Sequence, residues 1–213
     1  MNVGRRMSHP VITVTPEDRI TQAHKLIMQE KIRQLPVVKN GKLVGIVSRS
    51  DILKAYPSSV TSLSVWEITS LLEKITVKDI MTAQVFTVAE DTSIEQAARI
   101  MVDNKIRSLP VMRGEDLIGI ITEADLFRVM LEMLGGRRAG VRLTVSMPWV
   151  AGEIAKITGA IFEKGGSITA LSTFEGDTSD TFIITIKVEG VDLQELLELV
   201  QPLVIDILSV NED

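Results

Sequence analysis

GIVSRSDILK (residues 45–54) and GIITEADLFR (residues 119–128) repeat one pattern, and that pattern decides the fold. Each stretch begins with a glycine and an apolar run, continues with a hydroxyl residue and has an aspartate three residues after that hydroxyl. The four residues in these positions are Ser48, Asp51, Thr122 and Asp125. A hydroxyl followed three residues later by an acid is typical of a capping box at a helix N-terminus. The same side chains could instead bind a ligand, and the spacing alone leaves both interpretations open.

The pattern belongs to a longer internal repeat. Residues 7–54 and 81–128 align without a gap at an offset of 74, and 17 of these 48 positions are identical. Two copies are fewer than the three that a solenoid needs. We therefore expect a closed, pseudo-symmetric pair in which the copies bury their apolar faces against each other.

The sequence pattern of each copy predicts the element order β-α-β-β-α. A β-rich leading segment, VITV (residues 11–14) or VFTV (residues 85–88), comes first. Apolar residues at helical spacing follow it. They are Ile20, Ala23 and Ile27 in the first copy and Ile94, Ala97 and Met101 in the second. Thr92 and Glu95 predict the cap of the second of these helices.

A hairpin and a short helix complete each copy. The hairpin turns are predicted at Asn40–Gly41 and at Gly114. The short helices are predicted to begin at about Arg49 and about Glu123. Between the copies, the turn-like YPSSVTS (residues 56–62) precedes a connector helix around Val65–Lys74. Trp66 of this helix either packs on the pair or stacks on a ligand.

Residues 141–213 have a different order, β-α-β-β-α-β, which is typical of ferredoxin-like domains. VRLTVSM (residues 141–147) alternates apolar and polar residues as a half-buried strand does. Two strands, ITALSTFE and TFIITIKV, are joined by the turn-forming GDTSD, and VIDILSV closes the domain. The apolar faces of the two helices are Ile154, Ile157 and Ile161, then Leu193, Leu196, Leu197 and Val200. Gly165–Gly166 and Pro202 end these helices, and Asp192 with Glu195 begins the second one.

Composition excludes several classes of protein. The chain of 213 residues has 45% hydrophobic residues, a net charge of −5 and no cysteine. The negative charge argues against general nucleic-acid binding, which depends on clustered Lys and Arg. The sequence contains no cysteine metal site, no signal-peptide core and no apolar run of membrane-spanning length. We expect a cytoplasmic protein without nucleic-acid or membrane partners.

The two repeats resemble the CBS domain. The similarity rests on the VxTV segments, on IRxLPV at residues 32–37 and 106–111, and on the GIVSRSD and GIITEAD closures. The resemblance implies that the copies pack as a pair and that the clefts between them bind adenosine-containing nucleotides such as AMP, ADP, ATP or S-adenosylmethionine. Ser48 and Asp51, and likewise Thr122 and Asp125, would then bind ribose and phosphate.

The resemblance also assigns the other site residues. The predicted first site contains Val11, Ile12, Thr13, Arg33, Ser48, Arg49 and Asp51. The predicted second site contains Val85, Phe86, Thr87, Arg107, Thr122 and Asp125. The two arginines before LPV would contact phosphate or form surface salt bridges. Arg49 beside Ser48 favours a polyphosphate, whereas Glu123 beside Thr122 opposes one, so we expect the first site to take the more phosphorylated ligand.

The C-terminal order and the stretch AGEIAKITGAIFEKGGSITAL (residues 151–171) are similar to an ACT domain. That family usually has Asp-x-x-Pro-Gly before its first helix, and only Gly152 matches here. Trp149 and Gly152 would form the ligand loop, although a partly buried structural role explains Trp149 better than an interface or ligand contact does. A CBS pair followed by an ACT domain resembles the acetoin-utilisation family.

These observations predict a non-enzymatic regulator. The predicted domains are a first repeat at 1–60, a connector helix at 61–76, a second repeat at 77–134, a linker at 135–140 and an ACT-like domain at 141–213. No catalytic or metal-binding set occurs, and no cofactor is predicted. We expect a homodimer that passes nucleotide binding to its ACT domain or to an unknown protein target. The alternatives are a ligand-free scaffold and amino-acid sensing through the ACT domain.

Overall fold

The computed structural model describes residues 1–56 and 64–212, which form two compact units, Met1–Leu126 and Phe127–Asp213. The turn-like stretch predicted at 56–62 lies almost entirely outside the described residues, as does the boundary predicted at residues 60 and 61. The two units are described separately below.

The N-terminal unit contains both repeats. The first repeat has α1 (Ile20–Gln29), β1 (Gln34–Lys39), β2 (Lys42–Ser48) and α2 (Arg49–Ala55). Two further helices follow, α3 (Val65–Leu72) and α4 (Val77–Ile80). The second repeat has β3 (Val88–Ala89), α5 (Ile94–Asn104), β4 (Ser108–Arg113), β5 (Asp116–Thr122) and α6 (Glu123–Met133), whose last residues belong to the C-terminal unit. A single 3₁₀ turn, Val3–Arg5, precedes them.

The predicted helices and hairpins of the repeats are confirmed. The predicted apolar faces of α1 and α5 are buried at all six positions. β1 pairs with β2 and β4 pairs with β5, both antiparallel. Asn40 and Gly41 both have positive φ, as a type I′ hairpin turn requires, and Gly114 has positive φ in the second hairpin. The short helices begin at Arg49 and Glu123, as predicted.

Two predictions within the repeats are wrong in detail. The leading segments scarcely form strands: the first makes a single bridge, Val14 to Val37, and the second gives the two-residue β3. Only the end of each segment pairs with its own repeat, and the chain before the segment, at Ser8 and at Thr82, pairs with the other repeat. The cap of α5 is Ser93 and not Thr92, because the Ser93 hydroxyl accepts the Gln96 N–H. The N–H of Thr92 is already donated to the Ala89 carbonyl.

The chain just before each leading segment pairs with the other repeat. Ser8 pairs with Ile120 in β5, and Thr82 pairs with Ile46 in β2, each through two backbone hydrogen bonds. The two hairpins also meet directly, where the Ser108 hydroxyl donates to the Gln34 side-chain carbonyl at equivalent positions of the two copies. The expected pseudo-symmetric pairing of the copies is therefore present within this unit.

The C-terminal unit contains the element order β-α-β-β-α-β. Its elements are β6 (Val141–Pro148), α7 (Glu153–Glu163), β7 (Ser167–Glu175), β8 (Thr181–Glu189), α8 (Leu193–Val200), a 3₁₀ turn at Gln201–Leu203, and β9 (Asp206–Glu212). The strands form one antiparallel sheet in the order β7-β8-β6-β9. β6 alternates buried and half-buried residues throughout, as predicted.

One sheet face and the two helices enclose the core of this unit. The fully buried residues at its centre are Leu143, Val145, Ile157, Ile161, Ile184, Ile186, Leu196 and Val200. Ile154, predicted on the buried face of α7, is instead 38% exposed. The helix begins at Glu153, after its N-cap Gly152, and Ile154 in its first turn lines a groove.

Candidate functional site

The first strand–helix junction is a closed capping box. The Ser48 hydroxyl accepts the Asp51 N–H at 3.2 Å, and Asp51 Oδ2 accepts the Ser48 N–H at 2.9 Å and the Ser48 hydroxyl at 2.5 Å. Asp51 is half-buried. Within the described residues, all of these contacts use Oδ2, so Oδ1 remains able to accept hydrogen bonds from a ligand.

The second junction repeats this geometry at a more buried position. Asp125 Oδ2 accepts the Thr122 N–H at 2.9 Å and the Thr122 hydroxyl at 2.7 Å. Asp125 is 3% exposed. A carboxylate this deeply buried is retained only where hydrogen bonds or charges satisfy it, so this junction is rigidly organised.

The charges beside the two junctions differ. At the second, the Arg107 guanidinium lies 3.9 Å from the Glu123 carboxylate, and both side chains are largely exposed. At the first, the backbone N–H of Arg49 donates to the Arg33 carbonyl, so the two arginines are neighbours. Neither makes an ion pair with any described residue. The first junction therefore carries two available cations, whereas the second has a cation already facing an acid.

The site residues predicted in the leading segments lie apart from the two junctions. Val85 and Thr87 line a cavity of about 530 Å³ with Lys42 and Glu115, at the turn ends of the hairpins. Thr122 and Asp125 are not among the residues that line it. Phe86 is 51% exposed.

The first copy is similar. Thr13 lines a smaller cavity of about 290 Å³ beside α1. Val11 and Ile12 are half-buried. The structure thus brings Ser48, Arg49, Asp51 and Arg33 together, but it places the leading segments nearer the far ends of the hairpins.

Two features near the junctions had little signal in the sequence. A built Cβ on Gly45 would lie 2.6 Å from the Met81 sulfur, and one on Gly119 would overlap the Met7 sulfur. The glycine of each opening stretch is therefore required by a methionine that precedes the other copy's leading segment.

A third capping box occurs at Thr76 and Asp79, which begins α4. Hydrogen bonds from the Thr76 N–H and hydroxyl lower the pKa of the Asp79 carboxyl. This box is exposed and has no counterpart in the repeat. A hydroxyl residue followed three residues later by an acid therefore identifies a helix cap and does not by itself identify a ligand site.

In the described part of the chain, the histidines considered for catalysis and the tryptophan considered for ligand stacking do not meet in one site. His24 Nδ1 lies 3.3 Å from the Tyr56 hydroxyl, and their rings meet edge to face. Trp66 is 86% exposed. Among the described residues, no group of three or more His, Asp or Glu side chains could hold a metal ion. No helix in the described part of the chain is long and apolar enough to cross a membrane.

The predicted C-terminal loop lines a groove. Trp149 and Gly152 both border a cavity of about 770 Å³ beside α7. The backbone N–H of Trp149 donates to the Asp180 carbonyl at 2.7 Å, and the Trp149 ring meets the Phe182 ring edge to face, with 5.5 Å between the ring centroids. Gly152 has a φ of 95° and is the N-cap residue of α7.

The CBS domain family matches residues 3–58 and 77–132, which is more than half of the chain. This protein belongs to the CBS domain family. The matched residues contain both capped junctions, and CBS pairs are regulatory modules. Of the C-terminal unit, only residues 127–132, which belong to α6, lie within the matched residues.

Curated relatives share the CBS pair. Protein MJ1426 of Methanocaldococcus jannaschii is 35% identical over 149 residues, which cover 59% of this chain and 88% of that protein. The inosine-5′-monophosphate dehydrogenase of Korarchaeum cryptofilum is 41% identical over 118 residues, which cover 55% of this chain. The match spans only 22% of that enzyme's length.

Solved CBS pairs have the same fold and include ligand complexes. The CBS pair of protein MJ0100, in complex with 5′-methylthioadenosine and S-adenosyl-L-methionine, is 30% identical with a TM-score of 0.52, and the match covers 65% of this chain and 98% of that one. CBSX2 in complex with AMP is 31% identical with a TM-score of 0.53, over 61% and 96%. A Vibrio cholerae protein assigned to acetoin utilization (AcuB) is 29% identical with a TM-score of 0.53, over 63% and 93%.

Proposed function

We propose that this protein is a non-enzymatic regulator that binds adenosine-containing nucleotides at the two capped junctions of its CBS pair. The observation that carries the proposal is the carboxylate that the capping box holds in place at each junction. At Asp51, the bonds to described residues use Oδ2 and leave Oδ1 available. A carboxylate so placed can accept hydrogen bonds from a ribose diol, and the adjoining helix N-terminus favours phosphate. The AMP and S-adenosylmethionine complexes of similar CBS pairs support this ligand class.

The charges favour different ligands at the two sites. Arg33 and Arg49 at the first junction can both contact phosphate oxygens, and Arg is well suited to such charge-assisted hydrogen bonds. At the second junction, Glu123 opposes Arg107 and repels a terminal phosphate. The first site is therefore the ATP or ADP site, and the second takes a ligand with less negative charge, such as AMP or S-adenosylmethionine.

The leading segments complete the sites in this proposal. Val11, Ile12 and Thr13, and their counterparts Val85, Phe86 and Thr87, contribute apolar and hydroxyl contacts to adenine. Because the chain just before each segment pairs with the other copy, a ligand that shifted a leading segment would also act on the pairing between the repeats. Ligand binding could then change the angle between the two hairpins.

Isothermal titration calorimetry of Asp51→Ala and Asp125→Ala with ATP and AMP tests the assignment. Asp51→Ala should weaken ATP binding by about tenfold or more, since a hydrogen bond to a charged group contributes about 1.5–3 kcal/mol. Asp125→Ala should weaken AMP binding and leave ATP binding nearly unchanged.

Asp79→Ala is the matched control, because it removes a cap of the same geometry outside the predicted sites. Equal nucleotide affinity in the wild type and in Asp51→Ala would overturn the site assignment. If no adenosine ligand binds the wild type at all, the ligand-free scaffold becomes the better description.

The C-terminal unit is proposed as an ACT-type module that responds to the CBS pair and dimerises. Its strand order, β7-β8-β6-β9, supports a ferredoxin-like assignment. β7 is a nine-residue edge strand without proline and with its one charged residue at the end. Such an edge is able to pair with another strand. Analytical ultracentrifugation of wild type and Ser172→Pro would test this, because proline at an edge blocks strand pairing between copies.

A further inference from the structure

The groove beside α7 is apolar and uncharged. Nine described residues line its volume of about 770 Å³, and none of them is charged. Aliphatic and aromatic side chains predominate, and the polar side-chain groups are the hydroxyls of Thr158 and Thr173 and the indole N–H of Trp149. Pockets for small molecules have volumes of about 300–1,000 Å³ and combine an apolar lining with a few polar groups. The groove therefore has the size and surface of a small-molecule site.

An exposed tryptophan forms one wall of this groove. The Trp149 side chain is 63% exposed, although its loop is held by the hydrogen bond to Asp180 and its ring by Phe182. Val150 beside it is 62% exposed. A ligand that covers this large apolar ring removes it from water, and that burial favours binding. Aromatic ligands gain most, because they also stack against the ring.

The described lining residues of the groove offer no charged partner to a ligand. Glu153, in the first turn of α7, is 8% exposed, and its carboxylate lies 2.5 Å from the Lys156 ammonium. This carboxylate already interacts with the positive end of the α7 dipole. Because Lys156 already pairs with Glu153 and the lining residues are uncharged, a ligand carboxylate or ammonium in the groove would be buried without a partner, which costs free energy.

The hydroxyls indicate which polar group the ligand has. The Thr158 hydroxyl donates to the Ile154 carbonyl at 2.7 Å, so its oxygen can still accept a hydrogen bond from a ligand. We propose that this groove binds a small, uncharged aromatic molecule that carries one N–H or O–H donor, and that it discriminates against free amino acids. The site lies in the C-terminal unit and does not depend on nucleotide binding by the CBS pair.

Three indoles test the charge preference by isothermal titration calorimetry on the full chain. Indole is neutral, L-tryptophan is a zwitterion and indole-3-acetate is an anion, and all three carry the same ring. Indole should bind saturably, and the two charged compounds should bind about tenfold or more weakly, a difference of about 1.4 kcal/mol. 1-Methylindole, which lacks the donor, should bind about fivefold more weakly than indole, as expected for one neutral hydrogen bond.

Ala155→Phe fills the groove from an exposed position of α7 and should abolish indole binding. Ala151→Phe fills it from the loop and keeps the test informative if the first variant is unstable. Glu198→Phe adds the same ring at an exposed position of α8 outside the groove and should leave indole affinity unchanged. Unchanged AMP affinity in all three variants would show that the N-terminal unit is intact.

Three results would overturn the proposal. They are the absence of indole binding to the wild type, binding of L-tryptophan as tight as that of indole, and indole binding that survives both groove-filling variants. A fourth contrary result is self-association of the wild type that Ala155→Phe abolishes, because a second copy would then occupy the groove.

Discussion

At the residue scale, the two glycines of the opening stretches show how a contact with the other copy determines a residue. Gly45 and Gly119 lie inside strands, where glycine usually weakens the strand. A methionine sulfur of the segment that leads into the other copy occupies the space of each missing side chain. The backbone there is ordinary, since neither glycine has positive φ. Packing between the copies therefore explains them, and a turn requirement does not.

We expect Gly119→Ala to destabilise the protein by about 1–3 kcal/mol, as overpacking of a well-packed site typically does. Shortening the methionine should remove the clash, so Met7→Ala combined with Gly119→Ala should cost less than the sum of the two single changes. Urea unfolding of the four proteins measures this coupling. Gly159→Ala is the control, because its Cβ would meet open space in the middle of α7. Additive costs would contradict the packing explanation.

Most residues of the junctions were predictable from sequence, but their neighbours were not. The spacing of Ser48 and Asp51 identified the cap because capping is local and depends on residues three apart. The pairing of Ser8 with Ile120 joins residues more than a hundred positions apart, and no local pattern encodes it. For the same reason, the positions of Val85 and Thr87 relative to Thr122 could not be read from the repeat.

At the scale of elements, the start of α5 separates two candidate caps. The sequence favoured Thr92 because Glu95 follows it at capping-box spacing, but the structure uses Ser93. We expect Ser93→Ala to cost about 1 kcal/mol of stability, within the usual range for loss of an N-cap. Thr92→Ala should cost much less, because its hydroxyl makes no cap bond. Chemical denaturation of both variants decides between them, and the reverse order of stability would restore Thr92 as the cap.

An ion pair ties the short strand β3 to the end of β4. Arg113 donates to both carboxylate oxygens of Glu90 at 2.7 Å, and these bonds lower the pKa of the Glu90 carboxyl. A carboxyl whose pKa is lower in the folded state stabilises the protein above its unfolded pKa, and this stabilisation is lost as the pH falls.

Glu90→Gln should therefore be less stable than the wild type at pH 7, and the difference should disappear as the pH falls below about 4. Urea unfolding at several pH values measures it. Glu73→Gln, at an exposed position that forms no ion pair with any described residue, should show little difference at any pH. A Glu90→Gln difference that persists unchanged into acid would exclude the ion pair as its cause.

At the scale of the whole molecule, the chain has two compact units with separate cores. Leu109 is fully buried in the N-terminal unit, and Leu196 is fully buried in the C-terminal unit. The sequence predicts a separate domain from residue 141, because the internal repeat stops before that residue and strict strand alternation begins there, whereas the two compact units divide between Leu126 and Phe127. The identity of the C-terminal module rests on its strand order, since the family match does not reach it.

Because the cores are separate, the effect of a nucleotide on the thermal unfolding of each unit shows which unit binds it. Leu109→Ala and Leu196→Ala should each cost about 2–5 kcal/mol in the unit that contains the change. AMP at a hundred times its dissociation constant stabilises only the folded form that binds it, by about 2.7 kcal/mol. In scanning calorimetry, AMP should therefore recover much of the loss in Leu109→Ala. It should raise the weakened transition of Leu196→Ala by a smaller amount, because a C-terminal unit that responds to the CBS pair must be coupled to it energetically. If AMP left the Leu196→Ala transition where it was, nucleotide binding would not be coupled to the C-terminal unit, and the proposed response of that unit would be contradicted.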